Sequence, residues 1–259
     1  VNLEVVAKFT WSRDQVSWSG GQGFCLESKV VMEVTYNVVT LGAKADGHSD
    51  TKKAFLKAWN LSFASTTPAI IYVPTGRYLI ASAITFSGQA CPGNSNVWIE
   101  KVLCGPGHGI SIGSLGWELQ EAGVQNITVK TTTFVGTQNG VRIKAWARRS
   151  NGFVKNIVFK QVTMVNVQYP IIIDGNYCPR KKNCPNDLSG VKISNVVYED
   201  VHGTSATQVA VKFDCNKGSP CNGIRLKDVN LVYAGKPAVS SCSYAAGTAS
   251  GLPLPTNCL

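Results

Sequence analysis

The second half of the chain alternates apolar and polar residues in a repeating order. Apolar pairs at strand spacing recur, and each follows an Asn or a Gly, which are common turn residues. A second apolar pair follows five and seven positions after each start, and a third alternating pair closes most repeats. Each repeat therefore predicts strand, turn, strand, turn, strand. The first pairs of the five repeats are Val97/Ile99, Ile127/Val129, Ile157/Phe159, Val191/Ile193 and Ile224/Leu226.

These repeats start about 30 to 34 residues apart, and no helical segment separates their strands. A parallel β-helix stacks such coils with their apolar residues inward. A sandwich or barrel of antiparallel strands also alternates apolar and polar positions, but nothing in it requires constant offsets over five repeats. The pattern therefore predicts an all-β solenoid.

The exposed end of a solenoid must be covered, and residues 51–61 are suited to that purpose. Asp50 is a typical N-cap residue, and the apolar residues that follow share one face of a helix. We therefore predict a capping helix, followed by a strand at 70–73. Residues 1–35 lack such order and are predicted to be an N-terminal extension, with 36–259 as a single β-helix domain. The predicted apolar face consists of Ala54, Phe55, Ala58 and Trp59.

Composition narrows the function classes. With 25 Lys and Arg against 15 Asp and Glu, the net charge is +10, which favours a polyanionic partner. The basic residues are scattered apart from 180–182 and 148–149, so the arrays typical of nucleic-acid arms are missing and an acidic polysaccharide is favoured. No apolar stretch is long enough to predict a membrane span. Nine cysteines and two glycosylation sequons, at Asn60 and Asn126, indicate a secretory route.

A row of polar side chains is predicted on the outside of the third strand of each repeat. Period-two geometry turns Arg142 and Lys144 to the same surface, about 7 Å apart along one strand. Such a pair of cations can clamp a carboxylate. The alternative is that both are ordinary cations on a solvated face. The predicted outward residues are Ser111, Arg142, Lys144, Ile172 and Asp174.

Two further groups are predicted beside these cations. His108 lies in a turn with three glycines, at 105, 107 and 109, which let backbone and ligand approach closely. Histidine can exchange a proton close to physiological pH, so His108 is either a site residue at mildly acidic pH or a simple turn histidine. Asp174 is expected to have a lowered pKa beside the two cations, which suits a base and not an acid.

Two segments carry a resemblance to a known family. Residues 104–116, around Gly107-His108-Gly109, and Arg142-Ile143-Lys144 resemble two of the four signature motifs of the plant polygalacturonases, which hydrolyse pectin. The similarity extends from about residue 36 to 259. It implies a right-handed parallel β-helix that cleaves α-1,4 bonds between galacturonates by inversion, without metal or cofactor. It also implies a monomeric protein secreted to the plant cell wall.

The resemblance assigns roles to four residues. His108 would support the catalytic water and the proton network. Arg142 and Lys144 would bind a galacturonate carboxylate next to the scissile bond. Tyr177 matches a tyrosine that helps to position the sugar, and its alternative role is that of a packing aromatic.

The chain departs from this family at the catalytic carboxylates. An inverting glycosidase needs a carboxylic acid and a carboxylate base. In the family these come from Asn-Thr-Asp and Gly-Asp-Asp motifs ahead of the Gly-His-Gly turn, and neither motif occurs here. An internal deletion near residues 93–95 would account for their loss. The rival functions are a catalytically inactive pectin-binding β-helix and, more remotely, a pectate lyase, which would need a calcium-binding carboxylate cluster.

The resemblance also implies three disulfides. They would join Cys178 with Cys184, Cys215 with Cys221, and Cys242 with Cys258. The remaining cysteines would lack their usual partners or pair in another way. These are Cys25, Cys91 and Cys104.

Overall fold

The computed structural model describes residues 2–5, 7–10, 34–65, 69–81, 84, 86, 97–178, 184, 185, 187, 190–255 and 258–259. The N-terminal elements are β1 (Asn2–Val5), β2 (Ala7–Thr10), β3 (Val34–Asn37), β4 (Asp46–Asp50), α1 (Lys52–Ala64), β5 (Ala69–Val73) and β6 (Arg77–Leu79). The first coils contain β7 (Val97–Cys104), β8 (Ile110–Leu115), β9 (Val124–Val135), β10 (Asn139–Ala145), β11 (Phe153–Val167) and β12 (Tyr169–Asp174). The last coils contain β13 (Lys192–Ser205), β14 (Val209–Asp214), β15 (Cys221–Tyr233), β16 (Lys236–Pro237), β17 (Val239–Ser243) and β18 (Ala245–Leu254).

Strands of successive coils pair in parallel and form two long sheets. The first, called here the long-strand sheet, runs through β7, β9, β11, β13 and β15 and ends on β18. The second, called the site sheet, has the order β17-β14-β12-β10-β8 and is parallel throughout. The chain is therefore a right-handed parallel β-helix, and the predicted solenoid is confirmed over an antiparallel sandwich.

A left-handed asparagine marks the same corner in three successive coils. Asn126, Asn156 and Asn195 have φ angles of 58°, 56° and 53°, a conformation that asparagine tolerates better than most residues. The Asn156 amide donates a hydrogen bond of 3.1 Å to Asn126 Oδ1, and the Asn195 amide donates one of 3.4 Å to Asn156 Oδ1. The amides thus join neighbouring coils at their corners.

The register of the fourth repeat differs from the prediction. Val196, and not Val191, pairs with Ile157, while Ile193 pairs with Val154. The predicted start at Val191 was therefore wrong by five residues. The reason is a loop between β12 and β13 that contains the Cys178–Cys184 disulfide. This loop lengthens the coil and displaces the repeat along the sequence, although the strands on either side keep their pairing.

The core lies inside the coils, between the two sheets. Inward residues of successive coils stack on one another, as Ile143 does on Ile173 and Ile173 on Phe213. Aromatic rings continue these stacks, with Phe159 and Tyr198 parallel at a centroid distance of 5.1 Å. Burial of each large apolar side chain contributes roughly 1.5–3 kcal/mol, so the stack stabilises every coil through its neighbours.

The predicted capping helix is confirmed, with shifted ends. Its N-cap residue is Thr51 rather than Asp50, and it runs on to Ala64. Asp50 still stabilises the first turn, because its carboxylate accepts a hydrogen bond of 3.1 Å from the Lys52 backbone N–H. Phe55 is buried with Ala54 and Ala58, whereas Trp59 is half-buried, and Phe55 meets Tyr78 edge to face at 5.8 Å. The helix has 13 residues, and no helix among the described residues is long and apolar enough to cross a membrane.

Part of the predicted N-terminal extension belongs to the sheets. β1 lies between β6 and β7 and pairs with both in antiparallel fashion, and β2 pairs with β5. A small third sheet has the order β2-β5-β3. The predicted join at residues 93–95 lies outside the described residues, and the single domain over 36–259 stays a prediction.

The three disulfides implied by the resemblance are present. Cys178 is bonded to Cys184, Cys215 to Cys221, and Cys242 to Cys258. Cys104 is buried with a free thiol, whose pKa burial raises to about 11. Cys25 and Cys91 lie outside the described residues.

Candidate functional site

Arg142 and Lys144 lie on β10 with their side chains outward, as the alternation predicts. They alternate with Val141 and Ile143, which are fully buried. On the preceding coil Ser111 pairs with Arg142, and on the following coil Asp174 pairs with Lys144. The outward surface of the site sheet is therefore built by strands whose inward residues are fixed in the core.

The Arg142 guanidinium is held from two sides. Its Nε donates a hydrogen bond of 2.9 Å to Ser111 Oγ, and its Cζ lies 5.7 Å from the centre of the Tyr177 ring. Burial lowers the pKa of Arg142, but a guanidinium stays protonated at physiological pH. Because Nε is occupied by Ser111, the two Nη groups are oriented before a ligand arrives.

Lys144 is the second cation of this cluster. Its Nζ lies 4.9 Å from the centre of the Tyr177 ring. Burial lowers the pKa of Lys144, and the positive charge of Arg142 lowers it further. Within the part of the chain that the structure describes, neither Arg142 nor Lys144 forms an ion pair within 4 Å. A bound anion would relieve the electrostatic cost of holding both charges together.

Tyr177 connects these cations to a row of aromatic rings. Its backbone N–H donates to the Ala145 carbonyl oxygen at 2.9 Å, which fixes it above β10. Its ring meets Trp146 at a centroid distance of 5.0 Å, and Trp146 meets Trp117 at 4.8 Å, both nearly edge to face. The sequence analysis missed both tryptophans. The alternation that identified Lys144 could have found Trp146, two residues further on.

Asp174 behaves differently from the expectation. Burial raises its pKa, and this effect outweighs the lowering by Arg142, while Asp214 on the next coil raises the pKa further. The predicted lowered pKa was therefore wrong. Loss of hydration disfavours the charged carboxylate more than the neighbouring cations favour it. Asp214 lies 3.7 Å from Lys212 in an ion pair.

His108 lies in the turn before β8, three residues ahead of Ser111. Its Nδ1 is 2.6 Å from Gln138 Oε1, and its backbone carbonyl accepts a hydrogen bond of 3.1 Å from the Asn139 amide. The glycines around it bring coils together, because a Cβ at Gly105 would collide with the carbonyl oxygen of Val135. The structure thus joins Arg142, Lys144 and Tyr177 directly, whereas His108 is bonded to the neighbouring turn.

Comparison with known proteins identifies the family. Residues 89–251 match the family model described as glycosyl hydrolases family 28. The chain belongs to glycosyl hydrolase family 28. The predicted family and the glycoside hydrolase class are therefore confirmed.

Family 28 relatives from plants are similar in sequence. A polygalacturonase of Prunus persica is 38% identical over an alignment of 378 positions, gaps included. The alignment covers 91% of this chain and 96% of that protein. Polygalacturonase-2 of Solanum lycopersicum is 46% identical over 189 residues, covering 71% and 41%. An exopolygalacturonase of Platanus acerifolia is 46% identical over 166 residues, covering 63% and 44%. The chain thus spans less than half the length of the last two.

A solved structure supports the fold. The endo-xylogalacturonan hydrolase of Aspergillus tubingensis superposes with a TM-score of 0.50 at 22% identity, over 60% of this chain and 45% of that one. At this identity the likeness concerns the fold alone.

The alignment with the Prunus persica protein covers 378 positions, more than the 259 residues of this chain, so it contains gaps opposite residues of that relative.

Proposed function

We propose that this family 28 chain is a polygalacturonase that cleaves α-1,4 bonds between galacturonates of demethylated pectin. The observation that carries the proposal is the pair Arg142 and Lys144, half-buried, without an ion pair among the described residues, and facing the Tyr177 ring. A partly desolvated pair of cations favours a carboxylate ligand. Galacturonate carries one carboxylate on every sugar, and the related plant proteins bear the name polygalacturonase.

Each of these groups has a distinct role in binding. The oriented guanidinium of Arg142 donates hydrogen bonds to two carboxylate oxygens, while Lys144 supplies a second, point-like charge. The Tyr177 ring offers an apolar surface to the C–H face of the sugar, and its hydroxyl is available as a polar contact. The net charge of +10 attracts the polyanion to this surface over a longer range.

His108 is proposed to serve the proton network. A neutral imidazole has one donor and one acceptor nitrogen, and its Nδ1 already bonds Gln138. Nε2 is then the nitrogen that would contact a water or a sugar hydroxyl. The role rests on the position of His108 in the glycine turn that resembles the family motif.

The carboxylates distinguish turnover from binding alone. Hydrolysis by inversion needs one carboxyl to protonate the leaving oxygen and another to deprotonate water, with about 6.5–9.5 Å between them. Asp174 and Asp214 face outward on adjacent strands of the site sheet. The Asn-Thr-Asp and Gly-Asp-Asp motifs that supply these carboxylates in the family do not occur in the sequence. Their loss favours a second candidate function, pectin binding without turnover.

One experiment separates these candidates. Purified protein is incubated with polygalacturonic acid at mildly acidic pH, and both reducing-end release and binding are measured for wild type, His108→Ala and Asp174→Asn. Turnover that His108→Ala abolishes supports the hydrolase, and loss in Asp174→Asn would identify the acid. Binding without turnover supports the second candidate. A wild type that neither binds nor cleaves the polymer would contradict both.

We further propose that the protein is secreted to the cell wall and acts there as a monomer on pectin, without nucleic acid, membrane, metal or cofactor as a partner. The three disulfides support an oxidising compartment, since such bonds persist in secreted proteins. Fractionation of plant tissue into wall and cytosol, followed by gel filtration of the native protein, tests both points. Recovery in the cytosol would contradict secretion, and an apparent native mass that is a multiple of the mass of the denatured protein would contradict the monomer.

A further inference from the structure

The outward row that contains the two cations continues beyond the end of β10. Trp146 and Arg148 are part-exposed, while Ala145 and Ala147, which alternate with them, are buried. The backbone stays attached to the preceding coil there, because the Trp146 N–H donates to the Leu115 carbonyl oxygen at 2.8 Å. The chain then turns tightly, with the Arg148 N–H donating to the Trp146 carbonyl oxygen at 2.9 Å. Arg148 is connected to Arg142 and Lys144 through contacts of the Trp117, Trp146 and Tyr177 rings.

Arg148 lies over the ring of Trp117. Its Cζ is 4.3 Å from the ring centre, and its Nη1 donates a hydrogen bond of 3.0 Å to the Trp117 carbonyl oxygen. Trp117 is 51% exposed, which is unusual for the largest apolar side chain. Among the described residues Arg148 has no ion pair within 4 Å, whereas the adjacent Arg149 pairs with Asp187 at 3.3 Å.

The turn that presents Trp117 is fixed without a ligand. The Glu121 carboxylate accepts three backbone N–H groups, from Gly116 at 2.6 Å, Trp117 at 2.9 Å and Glu118 at 3.0 Å. The Glu121 N–H in turn donates to Asn151 Oδ1 on the next coil at 2.8 Å. Its carboxylate is thus occupied in holding the turn. The exposed tryptophan is held in one position, which lowers the entropic cost of binding.

We propose that Trp117, Trp146 and Arg148 form a second uronate subsite, which binds another galacturonate of the same polymer. Arg148 would bind the carboxylate, and the exposed part of the Trp117 ring would pack against the C–H face of the sugar. This inference rests on the proposed function, because it takes Arg142 and Lys144 as the first subsite. An anionic sugar suits the cluster better than a neutral one, since its arginine has no carboxylate partner among the described residues.

The test compares short and long galacturonate oligomers. Binding of the trimer and of an oligomer of eight or more units is measured by calorimetry for wild type, Arg148→Gln, Trp117→Ala and the control Arg149→Gln. We expect Arg148→Gln to weaken binding of the long oligomer about tenfold, as the loss of one charge-assisted hydrogen bond would. Binding of the trimer should be unchanged. Arg148→Lys should retain part of the affinity, because it keeps the charge.

The outcomes distinguish this subsite from the proposed function. Equal affinities of Arg148→Gln and Arg149→Gln for the long oligomer would overturn the second subsite while leaving the first intact. An equal loss for trimer and long oligomer would also overturn it, since the effect would then be structural. A wild type that binds neither oligomer would refute the proposed function itself. Circular dichroism of each variant identifies any that fails to fold.

Discussion

The long-strand sheet and the site sheet differ in how the charged residues on their outer faces are paired. On the long-strand sheet, Lys130, Lys160, Glu199 and Lys227 follow one another in register on successive coils. Glu199 lies 3.3 Å from the Lys160 ammonium and 3.1 Å from that of Lys227. These hydrogen bonds lower the pKa of Glu199, the contact with Lys227 most strongly. Two of the three lysines in this row therefore lie beside a carboxylate of an adjacent coil.

The site sheet contains one such pair, Lys212 with Asp214, but leaves two of its cations without a carboxylate within 4 Å among the described residues. Arg142 and Lys144 lie over an aromatic ring instead of a carboxylate, and burial lowers the pKa of both. A charge that stabilises the fold, such as Lys160, has its counter-ion on the adjacent coil. We infer that Arg142 and Lys144 instead receive their counter-ion from a bound ligand.

The largest expected effect is on ligand binding by the site sheet. Arg142→Gln should weaken binding of polygalacturonic acid by about 1.5–3 kcal/mol, roughly 10- to 150-fold in Kd, because a bidentate charged contact is lost. Lys160→Gln, which removes one positive charge from the other sheet, is the matched control and should change Kd by less than about twofold. Calorimetry at low and high salt measures Kd for both variants. Equal losses of affinity in the two variants would mean that only net charge, and not the position of the cation, determines binding.

A smaller effect is expected on stability, with a pH dependence set by Asp174. Burial raises the pKa of this carboxyl above its value in the unfolded chain, so its contribution to stability is present at acidic pH and is lost as pH rises through the folded-state pKa. Asp174→Asn should therefore gain melting temperature relative to wild type as pH rises from 3 to 7. Thermal melts at intermediate pH values test this. A gain confined to acidic pH would contradict the burial argument.

The smallest effect, and one of opposite sign, is expected for Glu199 on the other sheet. Its pKa is lowered, so its contribution is present at neutral pH and is lost as pH falls through the folded-state pKa. Glu199→Gln should lower the melting temperature at pH 7 by less than about 3 °C, since exposed ion pairs contribute little. The difference from wild type should vanish at acidic pH. Parallel pH trends for this variant and Asp174→Asn would remove the distinction between the sheets.

The sequence predicts the coils well wherever their length is constant. The predicted alignment of Ile110, Val141 and Ile171 is correct. These equivalent positions lie 31 and 30 residues apart, and each strand ends at a similar turn. The alignment failed at Val191, where a disulfide-closed loop adds residues that carry no periodic signal. Apolar pairs inside a lengthened coil look like the start of a new one, so spacing alone selects the wrong pair.

The site was predictable only as far as strand alternation applies. Arg142 and Lys144 follow from period two, and Trp146 could have been added by the same rule. Trp117 lies in a turn where this rule ends, and the Glu121 carboxylate that fixes the turn shows no recognisable spacing. The pKa of Asp174 depends on how much water the neighbouring coils exclude, which a register of residues along a strand does not reveal.

The asparagine corners make each coil a separable module. Because Asn126, Asn156 and Asn195 adopt the same left-handed bend and their amides hydrogen-bond to neighbouring corners, the corner geometry repeats from coil to coil. Whole coils can therefore be added or removed along the site sheet while each remaining coil keeps its core. In such an architecture the length of the outer surface and the chemistry at one strand can change separately.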